Sequence, residues 1–164
     1  MESDLVDQLI ADWAREIPDL DTDAMRVVGR VLRLGRKFET RINEILKPHG
    51  LRYTDFDVLA TLRRSGKPYC LAPKELLKSV VITSGGMTAA LDRLTDAGLI
   101  ERVPNSDDRR SMSARLTAGG TRLVEELIVV RFRDASRSID ALSPAEQVTL
   151  GNLLRKLTMA QREV

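Results

Sequence analysis

Two short stretches carry residue types suited to chemistry on an anionic polymer. Thr83-Ser84-Gly85-Gly86-Met87-Thr88 places hydroxyls and glycines where a helix begins, and Pro104-Asn105-Ser106-Asp107-Asp108-Arg109-Arg110 puts two guanidinium groups at the tip of a β-hairpin. Free N–H groups at a helix N-terminus bind phosphate. Met87 and Thr88 suit contact with a thymine methyl, and Arg109 and Arg110 suit the narrow minor groove beside the helix. Lys74 is a candidate phosphate contact, and Arg93 on the same helix is taken with the DNA-binding set. Plainer roles exist for each: Ser84 as a helix cap, Lys74 and the tip arginines as solvated charges. The helix pair next to the tip tilts the reading to duplex DNA.

The elements that must position these residues follow from pattern. Leu5, Val6, Leu9, Ile10, Trp13 and Ile17 recur at helical spacing, and Pro18 ends that helix. A long helix is expected over residues 22–46, with Val28, Val31, Leu32, Phe38, Ile42, Ile45 and Leu46 as its apolar stripe and Pro48-His49-Gly50 as its stop. Thr54 with Asp57 three residues on reads as a capping start, and residues 65–68 as a loop. Pro73 opens a short helix. Ser84 caps the next, which Gly98 terminates. Residues 99–103 and 111–116 read as two antiparallel strands. Thr117 starts another long helix containing Leu123, Val124, Leu127, Ile128 and Phe132, and Ser143-Pro144-Ala145-Glu146 starts the last, lined by Leu150, Leu153, Leu154 and Leu157. The expected class is mainly α: a winged helix-turn-helix with long N- and C-terminal dimerisation helices. Residues 1–50 and 119–164 form the dimerisation flanks, and residues 51–118 the DNA-binding unit.

Composition narrows the functions. A formal charge of +2 on 164 residues does not announce a nucleic-acid binder, but the distribution is uneven. Residues 1–23 are acidic, whereas Arg26, Arg30, Arg33, Lys37 and Arg41 share one face of the long helix. That face reads first as solvated, and second as pairing with the acidic segment, either within the chain or across subunits. One cysteine, Cys70, in an expected loop, precludes an internal disulfide. The longest aliphatic run, residues 127–130, is far short of a membrane span. The expectation is a cytoplasmic, nucleoid-associated bacterial protein with no membrane partner. One His and one Cys, without a paired acid cluster or a nucleotide-binding glycine pattern, leave no nucleophile–base set, no metal and no cofactor.

Leu71-Ala72-Pro73-Lys74-Glu75-Leu76, Leu91-Asp92-Arg93-Leu94, Ala97-Gly98-Leu99-Ile100-Glu101-Arg102, Asp108-Arg109-Arg110-Ser111 and Leu116-Thr117-Ala118-Gly119-Gly120 resemble, in order, the MarR family of winged-helix regulators. The resemblance implies a homodimeric transcription factor, usually a repressor, that binds double-stranded DNA and is released by a small aromatic acid or phenol. It implies that the helix from Ser84 reads the major groove, that Arg109 and Arg110 occupy the wing, and that Asp108 orients Arg110. Ala72 stands where the family usually has a capping Thr, and Ala89-Ala90 where it often has longer polar residues. The N-terminal helix with Trp13 and the run Asp55-Phe56-Asp57-Val58-Leu59 resemble the branch that responds to urate and related purines. That likeness implies a ligand site of Trp13, Asp57 and Arg102, with Ala90 at the position of the branch's recognition-helix Arg. Judged from the residues alone, Trp13 is core or a ligand wall, Asp57 is a cap, and Arg102 pairs with Glu101 or a strand neighbour. Cys70 reads as inert and His49 as solvated or capping.

Overall fold

The structure, a computed structural model, describes residues 3–80, 84–105 and 111–160. In chain order it has α1 (Leu5–Glu16), α2 (Asp23–Leu46), a 3₁₀ turn (Lys47–His49), α3 (Tyr53–Arg64), β1 (Cys70–Leu71), α4 (Pro73–Leu77), α5 (Ser84–Asp96), β2 (Ile100–Pro104), β3 (Met112–Leu116), α6 (Ala118–Ser138) and α7 (Pro144–Ala160). Backbone contacts divide the chain into two compact units, Met1–Tyr53 and Thr54–Val164.

In the first unit Asp4 caps α1. Its carboxylate accepts from the N–H groups of Val6 and Asp7 at 2.8 and 3.0 Å, and the Asp7 carboxylate accepts from the Asp4 N–H at 3.1 Å. These reciprocal bonds satisfy donors that the first helical turn leaves free. Val6 and Ile10 are buried, and Gly29 lets α2 come close: a Cβ there would sit 3.2 Å from Val6 Cγ1. Arg30 ties the helices together, with Nε 2.9 Å from Asp4 and Nη2 2.8 Å from Asp7. The Arg30 hydrogen bond holds the Asp7 carboxyl below its ordinary range. The basic face of α2 is therefore not simply solvated. Its N-terminal part pairs with the acidic segment of the same chain, because the turn between α1 and α2 folds the two antiparallel charge sets together. Gly50, at φ +66, closes the 3₁₀ turn in a left-handed conformation suited to glycine.

The second unit is built on α3, whose Phe56, Val58, Leu59 and Leu62 are buried with Leu76 of α4 and Met87, Ala90, Leu91 and Leu94 of α5. The sheet order is β1-β3-β2, antiparallel, with Ile100 opposite Leu116 and Pro104 opposite Met112. Cys70 lies on β1 opposite Arg115, not in a loop. Ala72 has no side-chain oxygen to cap α4, but Glu75 reaches back and its Oε2 accepts the Ala72 N–H at 2.8 Å. Helix α3 begins at Tyr53, whose N–H donates to Asn43 Oδ1 at 3.2 Å. Asp57 thus lies a full turn inside the helix, and its expected capping role is corrected.

The segment 116–120 explains how hairpin and α6 join. Thr117 caps α6 by accepting the Gly120 N–H at 3.0 Å, and its hydroxyl donates to the Gly98 carbonyl at 2.8 Å. Gly98 sits at φ +68, ending α5. A Cβ at position 120 would overlap the Leu99 carbonyl, so only glycine permits this approach. Val124 and Leu127 of α6 are buried, but Phe132, expected among the inner residues, is 71% exposed. Helix α7 starts from the expected box, Ser143 N–H to Glu146 Oε2 at 2.8 Å, and buries none of its residues.

Candidate nucleic-acid interface

Helix α5 is two-faced. Met87, Ala90, Leu91 and Leu94 recur at spacings of three, one and three residues and are all buried. Gly85, Thr88, Ala89 and Asp92 form the exposed stripe opposite. Two sequence expectations are corrected by this periodicity. Met87 is 1% exposed and is a core residue, so its side chain is not available to a thymine methyl. Ala90 is fully buried, so position 90 is not one of the outward polar positions. Of the expected helix contacts, Thr88 is exposed and Gly86 half-buried. Ser84 lies at the start of the described part of α5. The expectations at Thr83, Asp108, Arg109 and Arg110 fall outside the described residues.

Arg93, expected among the DNA contacts, pairs within the chain while its side chain stays 35% exposed. Its Nη2 is 2.6 Å from Asp55 Oδ1, and the Asp55 side chain is only 2% exposed. A carboxylate that deep needs a partner, since an uncompensated buried charge is severely unfavourable. Asp55 was missed because nothing in its spacing separates it from Asp57. The available signal was an acid in the first turn of the helix, immediately before Phe56 and one turn before Leu59.

Arg102 and Asp57, grouped by resemblance as ligand contacts, have distinct surroundings. Arg102 on β2 reaches α5, its Nη2 2.9 Å from Asp92 Oδ1. The partner is a helix residue, so the expected pairing with Glu101 or a strand neighbour is corrected. Glu101 instead takes Arg115 at 2.8 Å. Asp57 is half-buried, and burial pushes its carboxyl above the ordinary value while Arg64 opposes the shift. Trp13 belongs to the first unit and is 54% exposed. It lines a groove of about 800 Å³ with Leu5, Leu9, Leu20, Met25 and Leu32, and Arg33, Arg36 and Lys37 also border it. In this single chain Trp13 is a wall residue, not core.

Four arginines of the second unit are compensated by acids. Arg63, Arg93, Arg102 and Arg115 each face a carboxylate. Lys74, in the first turn of α4, is exposed beside a groove of about 740 Å³ shared with Cys70, Asn105 and Arg115. Among the described residues no group of three or more His, Cys, Asp or Glu side chains could hold a metal ion, and no helix is long and apolar enough to cross a membrane.

Comparison with known proteins agrees with this geometry. The MarR family model matches residues 49–111. The chain is 31% identical over 152 residues to the HTH-type transcriptional regulator PecS of Dickeya dadantii, covering 93% of this chain and 92% of that one. Among solved structures, a mutant of MarR from Escherichia coli complexed with operator DNA is 30% identical, with a TM-score of 0.71, covering 94% of this chain and 99% of that chain. A structure on the regulation of DNA binding of Bordetella bronchiseptica BpsR by 6-hydroxynicotinic acid is 25% identical, with a TM-score of 0.72, covering 84% and 94%. The relatives are transcriptional regulators, not enzymes. With a helix pair, a hairpin, and a regulator 31% identical along nearly its whole length, the chain belongs to the MarR family of winged helix-turn-helix, DNA-binding transcriptional regulators.

Proposed function

We propose that this protein is a homodimeric repressor of a pseudo-palindromic operator, released by a small aromatic acid, phenol or purine. The observation that carries the DNA reading is the exposed stripe of α5 directly preceding the arginine-bearing hairpin sequence. It occurs in a chain 30% identical, over 94% of its length, to a protein complexed with operator DNA. In this reading Thr88 approaches base edges. Lys74, Thr83, Ser84 and Gly86 hold phosphates. Arg109 and Arg110 enter the minor groove, with Asp108 orienting Arg110.

The dimer reading rests on the flanks, residues 1–50 and 119–164, around the DNA-binding unit 51–118. Helices α6 and α7 leave Val129, Phe132, Val148, Leu153 and Leu157 between 46% and 71% exposed. An apolar surface of that extent marks an association site, and a two-fold axis would present two α5 helices to half-sites one turn apart. The ligand reading rests on the groove walled by Trp13 within the first unit, and on BpsR, whose DNA binding is regulated by a small heteroaromatic acid.

Selection of binding sites from random duplexes tests this function. Enrichment of an inverted repeat with half-site centres about ten base pairs apart is expected, together with severe loss of affinity for the selected site in Arg110→Ala. Failure to enrich any duplex overturns the reading.

A further inference from the structure

Asp92 places a carboxylate on the outward stripe of α5, one turn beyond Thr88. A carboxylate there opposes a polyanion, because it offers acceptors to phosphates that also only accept. Its partner is Arg102 of β2, at 2.9 Å, with side-chain exposures of 63% for Asp92 and 29% for Arg102. The ion pair Asp55–Arg93 on the inner side of the same helix is different, since its acid is 2% exposed. An exposed pair is weak and readily exchanged, whereas a buried one is not.

We propose that Arg102 shields Asp92, so that α5 approaches DNA as a neutral surface, and that an anionic effector lowers DNA affinity by taking Arg102 for itself and uncovering the Asp92 carboxylate. The proposal rests on the reading of α5 as the major-groove helix. It gives Arg102 two competing partners, the acid on α5 and the ligand anion, and makes Asp92 the residue through which that competition reaches DNA. An effector that captures Arg102 supplies the differential interaction any ligand-driven change requires. The exchange breaks one charge-assisted hydrogen bond and forms another, with no covalent step.

A double-mutant cycle on the full chain decides it, read as duplex affinity at fixed salt. Arg102→Ala is expected to weaken binding about tenfold, as an uncovered like charge at an interface should. Asp92→Ala alone should bind at least as tightly as the wild type. Arg102→Ala combined with Asp92→Ala should return to within about twofold of Asp92→Ala, since the coupling term vanishes when the acid is gone. A tenfold loss that persists in the double variant overturns the proposal, because Arg102 then acts on DNA directly. Weakened binding by Asp92→Ala also overturns it, because Asp92 then accepts a hydrogen bond from a cytosine. Salicylate serves as the anionic probe: weakening of wild-type binding but not of Asp92→Ala binding supports the exchange, and equal weakening of both overturns it. Failure of the underlying DNA reading shows separately, as absence of duplex binding by the wild-type chain.

Discussion

The inner and outer faces of α5 obey different rules. The inner face is fixed by packing: Met87, Ala90, Leu91 and Leu94 are each at most 1% exposed, and Arg93 is tied to the nearly inaccessible Asp55. Each of these side chains is set by the volume and charge of its neighbours. The outer face is small and lightly polar, with Gly85, Thr88, Ala89 and Asp92, and the exposed pair from Asp92 to Arg102 joins it to β2. What differs is what substitution does. Inner residues position the helix, and outer residues decide what it touches. A face with so few long donors has little with which to read bases directly, and the proposed function accordingly gives the helix N-terminus, Lys74, Arg109 and Arg110 the larger share of binding.

Substitutions on the two faces sharpen or break this contrast. Arg93→Ala should have the largest effect, about 3–5 kcal/mol of stability in urea unfolding, because it removes the cation paired with the buried Asp55 carboxylate. Arg102→Ala should cost less than about 1 kcal/mol in the same experiment, as an exposed pair does. Comparable losses would erase the distinction between the pairs. Next, Met87→Ala should lower stability by about 2–4 kcal/mol through the cavity it leaves, with base preference unchanged once the folded fraction is allowed for. Thr88→Ala should leave stability within about 0.5 kcal/mol while altering duplex affinity or base preference. The reverse pattern would mean the helix is turned the other way.

The smallest effect concerns Asp57. Burial raises its carboxyl pKa in the folded chain, so folding favours the protonated acid. That contribution is fully present below the ordinary carboxylate value and is lost as pH rises through the raised value. Asp57→Asn should therefore raise the melting temperature at neutral pH, and the advantage should shrink as pH falls into the carboxylate range. A gain independent of pH would assign the effect to packing instead.

Much of the fold was legible because strong local signals agreed with the tertiary structure. The stripe from Val28 to Leu46 and the Ser143–Glu146 box located α2 and α7 to within a residue. The segment 116–120 was recognisable as a motif, and the close approach of Gly120 to Leu99 gives its physical reason. Strand β1 was not legible, because two residues are too few to show alternation. The buried acid was also hidden, since Asp55 and Asp57 look alike until the start of α3 at Tyr53 fixes which one turns inward. At the site, Met87 was misjudged by its neighbourhood among Thr83, Ser84 and Thr88. Its spacing from Leu91 and Leu94 already placed it with the core, and local motif reading outweighed periodicity. The partner of Arg102 lies on another element, ten residues away in sequence, and no pattern marks Asp92 as that partner.

The central claim, that the winged unit grips duplex DNA through phosphate and minor-groove contacts, is tested most directly by duplex affinity measured across a range of salt concentrations for the wild type and Arg110→Ala. Counterion release makes the logarithm of affinity fall linearly with the logarithm of salt. The expected result is a steep slope for the wild type and a weaker, shallower line for Arg110→Ala. A salt-independent affinity, or two superimposable lines, would contradict it.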